Sequence, residues 1–122
     1  MSNDHWNTPQ WIKDMFNGYF DPCPNDPQVN GLAIDWKEFN YVNPPYSQPL
    51  DWVLKAIEEN KKGKFIVMLL RMDTSTRWFS LLQEAEAEFL WFAGRLHFSD
   101  TGKPANFPSM LVVLKKKIEE LR

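Results

Sequence analysis

Phe39-Asn40-Tyr41-Val42-Asn43-Pro44-Pro45-Tyr46-Ser47-Gln48-Pro49-Leu50-Asp51-Trp52-Val53 passes from an apolar stretch, through a proline-rich turn, into a helical pattern. Phe39 to Val42 carries aromatic and β-branched residues and reads as a strand that delivers Asn43. Beyond the turn, Leu50, Val53, Leu54 and Ile57 recur at helical spacing and mark one apolar face, with Lys55, Glu58 and Glu59 outside. Gly63 closes that helix. Phe65 to Leu70 follows as a continuous apolar run, the pattern of a buried parallel strand.

The same alternation extends in both directions. Towards the N-terminus, Thr8 as N-cap and Pro9 in the first turn open a helix through Trp11, Ile12, Met15 and Phe16, which Gly18 stops. Tyr19-Phe20 is a short strand running into Asp21-Pro22-Cys23, and Leu32 to Ile34 is a further extended piece after a loop rich in Pro, Asn and Asp. Towards the C-terminus, Thr74, Ser75 or Thr76 caps a helix from Arg77 to about Glu86. Phe89 to Phe92 is a strand that Arg95 to Phe98 extends or follows, and Met110 to Leu114 is the last strand before a charged tail. Strands alternating with helices predict an α/β fold: a mostly parallel central sheet with helices on its faces. Sites in such sheets lie beyond the carboxyl ends of the strands, where Asp21 and Asn43 both fall.

A chain of 122 residues is read as one domain, residues 1–122. Its net charge of −2 excludes a global basic field, so a nucleic-acid partner must be held by local clusters. Lys61, Lys62 and Lys64, then Arg71 and Arg77, Arg95, and Lys115 to Lys117 are the candidates; a plain solvated face is the alternative for each. The lone Cys23 fits a reducing cytoplasm, and two His with one Cys far apart make no recognisable zinc site. No apolar run long enough for a signal peptide or a membrane span is present.

Asn43-Pro44-Pro45-Tyr46 is where chemistry is expected. Each proline fixes its own φ and pushes the preceding residue to extended conformations, so the loop is stiff before any ligand arrives. Prolines have no N–H, so the Asn43 side-chain oxygen and the Pro44 carbonyl can accept both hydrogens of an aromatic amine such as that of adenine. Two acceptors draw that nitrogen towards tetrahedral geometry and free its lone pair for an electrophilic methyl group. Tyr46 offers a π face for the base, which must be flipped from a duplex to reach it. The bland readings are a simple turn, or an Asn-Pro-x-Tyr ligand of adaptor domains. Such ligands sit in flexible tails, whereas this tetrapeptide lies between a strand and an amphipathic helix.

With Trp6-Asn7-Thr8-Pro9, Phe20-Asp21-Pro22-Cys23, Asp35-Trp36, Asn43-Pro44-Pro45-Tyr46-Ser47 with Trp52, Met68-Leu69-Leu70, Asp73-Thr74-Ser75-Thr76-Arg77-Trp78-Phe79 and Gly94-Arg95-Leu96-His97-Phe98 in order, the chain resembles the phage-type DNA N6-adenine methyltransferases. The resemblance implies S-adenosylmethionine as methyl donor, DNA as partner and an abbreviated Rossmann-like methyltransferase fold in a prokaryotic host's cytoplasm. It implies catalysis by Asn43, Pro44, Pro45 and Tyr46. Asp21, with Pro22 and Cys23, would accept from the donor's amine; the alternative is an aspartate capping a turn. Asp35 and Trp36 would lie by the adenosyl part, or serve as helix cap and core. Thr8 and Pro9 would set a helix N-terminus beside the donor's carboxylate, or be a plain cap. Ser47, Arg71, Thr74, Ser75, Thr76, Arg77 and Arg95 would face DNA, with a capped helix burying Trp78 and Phe79 as the alternative. Protection of viral DNA against restriction is the role the resemblance suggests.

Two departures follow from length. Only fourteen positions separate Asp21 from Asp35, too few for the helix and strand that ordinarily follow the first strand, so an abbreviated cofactor pocket and weak donor affinity are expected. No segment remains for a separate recognition domain, which leaves short loops such as Ser99 to Pro108, or a homodimer, to supply specificity; a monomer is the alternative state. Competing functions are an NPPY methyltransferase acting on RNA or a protein amide, and a catalytically silent nucleic-acid-binding module.

Overall fold

The computed structural model describes residues 7–24, 29–97 and 107–116. Strand β2 (Phe65–Arg71) forms the heart of the sheet, because residues 66–70 are buried. Strand β1 (Phe39–Val42) pairs with it in parallel, Phe39 opposite Phe65 and Val42 opposite Met68. On its other side β2 pairs antiparallel with β4 (Ser109–Leu114), which in turn pairs antiparallel with β3 (Glu88–Trp91). The four strands lie in the order β1-β2-β4-β3.

The mostly parallel sheet expected from the alternation is therefore a mixed one. Two successive antiparallel pairings leave β3 pointing the same way as β2, so β4 alone is reversed, inserted between two strands of common direction. Phe20 adds a single parallel bridge to Asn40 on the outer side of β1, through Phe20 N–H to Phe39 O at 2.9 Å and Tyr41 N–H to Phe20 O at 2.9 Å. Leu32 to Ile34, read as extended, is instead a 3-10 turn at Gly31–Ala33 that Asn30 caps through the Leu32 N–H. Gly31 is needed there. A Cβ on it would meet the Pro22 carbonyl oxygen at 1.9 Å and Trp52 at 2.9 Å.

Helices cover both faces. On one, α2 (Pro49–Lys61) and α3 (Arg77–Glu84) bury Trp52, Val53, Ala56, Trp78, Phe79 and Leu82 against Val42, Met68, Leu70 and Val112. On the other, the short α1 (Gln10–Met15) inserts Ile12 among Tyr41, Val67, Leu69 and Leu111. Helix α2 is rotated from the expected face: Leu54 is 44% exposed, whereas Glu59, expected outside, is fully buried. Glu59 accepts from the Trp36 N–H and is surrounded by Lys55, Lys62 and Lys64. Burial by itself would raise this carboxyl's pKa, but the hydrogen bonds from Lys64, Lys55, Lys62 and Trp36 outweigh it and hold the group well below the usual carboxylate range. Gly63 ends the helix with φ +97°, which favours glycine. Among the described residues no helix is long and apolar enough to cross a membrane.

Candidate active site

The Phe20 bridge, β1 and β2 run in one direction, so their carboxyl ends meet at one edge of the sheet. Asp21, Asn43 to Ser47, and Arg71 to Thr76 leave from that edge. The reversed strand β4 begins there too: Ser109 pairs with Arg71, and Met72 N–H donates to Pro108 O at 2.8 Å. This brings Phe107 against Tyr46, ring centroids 5.1 Å apart and nearly perpendicular.

Asn43 is 3% exposed, and its Nδ2 donates to Thr8 Oγ1 at 3.3 Å. Thr8 Oγ1 also shares a hydrogen with the Tyr41 hydroxyl at 3.1 Å. Tyr41 and Asn43 stand two residues apart, which on extended backbone puts both side chains on one face. That is the face covered by α1. Thr8 is thus not the N-cap: Pro9 holds that position, and no side chain caps the helix. Burial drives the Tyr41 phenol well above its ordinary pKa, against the Thr8 hydrogen bond and aided by the Asp21 carboxylate, so Tyr41 stays protonated.

Pro44, on the opposite face, lines a small surface cleft with Pro45, Tyr46, Pro49, Leu70, Arg71 and Trp78, whose enclosed volume of about 20 Å³ is close to the room of one water molecule. Its walls are mainly apolar, with Tyr46 and Arg71 as the polar members. Burial raises the Tyr46 phenol above its usual range, against the charge of Arg71. Pro44, Pro45, Tyr46 and Trp78 offer flat apolar surfaces against which an aromatic ring packs only if the cleft widens, and Asn43 precedes the cleft in the chain without lining it.

The family model for DNA N-6-adenine-methyltransferase (Dam) matches residues 23–122. A DNA N-6-adenine-methyltransferase of Haemophilus phage HP1 is 33% identical over 138 residues, covering 93% of this chain and 80% of that protein. The chain belongs to the DNA N-6-adenine-methyltransferase family. A second member, from Escherichia phage T1, is 43% identical over 71 residues, which cover 57% of this chain and 30% of that relative. No solved structure matches significantly.

Within this mixed α/β sheet the remaining sequence-derived candidates divide by edge. Asp21 is exposed at the Asn43 edge and accepts from the Cys23 N–H at 2.9 Å, the turn-capping geometry, with Pro22 and Cys23 buried behind it. Arg71 lines the cleft and lies 3.6 Å from Asp73. Ser47 and Thr74 are exposed. Ser75 Oγ donates to Asp73 Oδ1 at 2.6 Å, and Thr76 Oγ1 caps α3 by accepting from the Phe79 N–H at 3.2 Å. Arg77 and Arg95 are exposed and make no ion pair within the described residues.

Asp35 is not brought to this edge, and the Trp36 ring reaches from the far end towards it as far as Gly31 and Trp52. Asp35 and Trp36 precede β1, and Asp35 pairs with Lys62 at the far end of α2 at 3.3 Å. A helix of 13 residues is about 20 Å long at 1.5 Å per residue, which separates Asp35 from the proline loop. Trp36 is core, with Nε1 donating to Gly31 O at 2.8 Å and its ring stacked on Trp52. The lysine clusters lie there as well: Lys62 and Lys64 on Glu59, Lys115 on Glu88 and Lys116 on Glu38. His97 is exposed rather than held in the core. Phe98, most of the 99–108 loop, Trp6 and Lys117 lie outside the described residues. Tyr41 and Phe107 were not marked as site residues in the sequence. For Tyr41 the signal was its two-residue spacing from Asn43; for Phe107 there was none, since its position comes from the pairing of β4 with β2.

Proposed function

We propose that this chain transfers a methyl group to the N6 amine of a flipped-out adenine in DNA, with S-adenosylmethionine as donor, on an abbreviated Rossmann-like fold. The observation that carries this reading is the buried Asn43 amide, anchored through Nδ2 on Thr8 and followed directly by Pro44, which lines an apolar cleft. With Nδ2 turned to Thr8, Oδ1 lies on the other side of the amide, buried in this conformation, and accepts one amine hydrogen once the site opens for the base; the Pro44 carbonyl accepts the second. The nitrogen's lone pair would then take the methyl group, with the donor's thioether as leaving group and one amine hydrogen lost as a proton, while preorganised acceptors stabilise the positive charge that develops on nitrogen. Pro44, Pro45, Tyr46 and Trp78 hold the base and exclude water.

The donor, when bound, supplies an electrophilic methyl group. Asp21 suits it in sign: an exposed carboxylate close enough to Tyr41 to shift its phenol, at the same edge as Asn43. Pro22 and Cys23 follow it directly, and Thr8 and Pro9 join the proposed pocket through Tyr41, while Asp35 at the far end of α2 and the buried Trp36 are left out of it. Ser47, Arg71, Thr74 and Arg77, with Arg95, form the proposed DNA-facing rim, and backbone phosphate is the natural partner of such arginines. Support for DNA as substrate comes from the names of the phage relatives. The test is incubation with methyl-labelled S-adenosylmethionine and, separately, DNA, RNA and protein. Label in DNA is expected; label confined to RNA or protein would replace the reading with one of the competing amine or amide substrates.

A further inference from the structure

Side-chain amides have two orientations of nearly identical shape, related by a half-turn about a soft terminal torsion. For Asn43 the two are chemically opposite. One presents an oxygen to the target amine; the other presents an NH2 group to an NH2 group, donor against donor. Something must choose between them. The candidate lies 35 residues earlier in the chain, on the α1 face that Asn43 shares: Thr8, itself 5% exposed, with Oγ1 3.3 Å from Asn43 Nδ2 and 3.1 Å from the hydroxyl of Tyr41, which is 6% exposed.

We propose that Thr8 is a positioning residue for Asn43, held in turn by Tyr41: its hydroxyl oxygen accepts the Asn43 amide hydrogen and so aims Oδ1 at the substrate amine. A threonine hydroxyl has one hydrogen and two acceptor positions. When its hydrogen points to the Tyr41 oxygen, only acceptor capacity faces Asn43, and the flipped amide would set its oxygen against an oxygen. Tyr41 is fixed for this task by β1 and by stacking on Phe16 of the α1 region, centroids 5.1 Å apart. The arrangement gives Thr8 a task other than holding the methyl donor, and the two tasks have different kinetic signatures. A donor ligand raises the donor's KM when lost; a positioning residue lowers kcat.

This inference rests on the proposed DNA adenine methylation, and the experiment separates the two. The full chain and its variants Thr8→Val, Thr8→Ser and Tyr41→Phe are assayed with S-adenosylmethionine and DNA, and their melting temperatures are recorded. Thr8→Val is expected to lose roughly tenfold in kcat, less than the hundredfold a 1 Å misplacement can cost, with both KM values within about twofold. Thr8→Ser, which restores the hydroxyl, should recover most of the rate. Tyr41→Phe should fall about threefold in kcat, and the double variant with Thr8→Val should be no slower than Thr8→Val alone, as residues acting through one contact are not additive. Wild-type kcat in Thr8→Val, or a loss carried by the donor's KM, overturns the positioning role alone. If Thr8→Val does not fold, Tyr41→Phe decides, and an unchanged kcat there overturns the role. A wild-type chain inactive on DNA but active on RNA or protein overturns the parent reading instead.

Discussion

The two edges of the sheet hold their loops by opposite means. At the edge before β1, the Asp35-Trp36 segment is pinned by a buried carboxylate, Glu59, ringed by Lys55, Lys62 and Lys64. At the edge beyond β1, Asn43 is pinned by neutral groups, through Thr8 to Tyr41. Cations differ in the same way. The lysines of the first edge are matched by Glu59, Asp35, Glu38 and Glu88, whereas at the second Arg77 and Arg95 make no ion pair within the described residues. The lesson is that a cluster of positive charge in a sequence says little until its partners are known. Lys62 and Lys64 read as candidate phosphate ligands but pair with Glu59, whereas Arg77 and Arg95 face solvent and Arg71, which lines the cleft, has Asp73 beside it.

That contrast can be broken at several points. The largest effect belongs to Asn43→Ala: removing a preorganised acceptor should lower kcat by about a thousandfold, with a melting temperature close to wild type. A comparable loss of folding stability would erase the distinction between the edges. Glu59→Gln should do the reverse, costing about 3 kcal/mol in chemical denaturation because Lys55 and Lys64, both largely covered, lose their carboxylate, while the folded fraction keeps its kcat. The sign with pH follows from the lowered pKa of Glu59. Its contribution is fully present above the unfolded value of about 4.3 and is lost as pH falls towards the folded value, so the gap between wild type and Glu59→Gln should narrow only below about pH 4.

Gly31→Ala sharpens the comparison on the structural side, forcing the turn away from the Pro22 carbonyl. A cost of about 1–3 kcal/mol is expected in denaturant titrations. The smallest effect is that of Arg71→Ala. It should weaken DNA binding a few-fold and reduce the slope of log affinity against log salt by about 1, whereas Lys62→Ala should leave that slope unchanged.

The sequence made the local parts of this site legible and hid the non-local ones. Asn43-Pro44-Pro45-Tyr46 between a strand and a helix could be read directly, because backbone restriction by proline and apolar periodicity both act over a few residues. Strands β1 and β2, the Gly63 stop and the Thr76 cap of α3 were visible for the same reason. The reversal of β4 was not, since an apolar strand such as Met110 to Leu114 carries no sign of the direction of its neighbour. The rotation of α2 was hidden by Glu59, a charged residue that is buried only because Lys64 and the Trp36 N–H arrive from outside the helix. Thr8 looked like a helix cap by its Thr-Pro pattern, and its contact with Asn43 spans 35 residues.

The most direct measurement is nucleoside mass spectrometry of unmethylated DNA after incubation with S-adenosylmethionine and either wild type or Asn43→Ala. The account predicts N6-methyladenine with wild type and none above background with Asn43→Ala. Methylation of the cytosine amine in its place, or N6-methyladenine formed equally by both proteins, would contradict it.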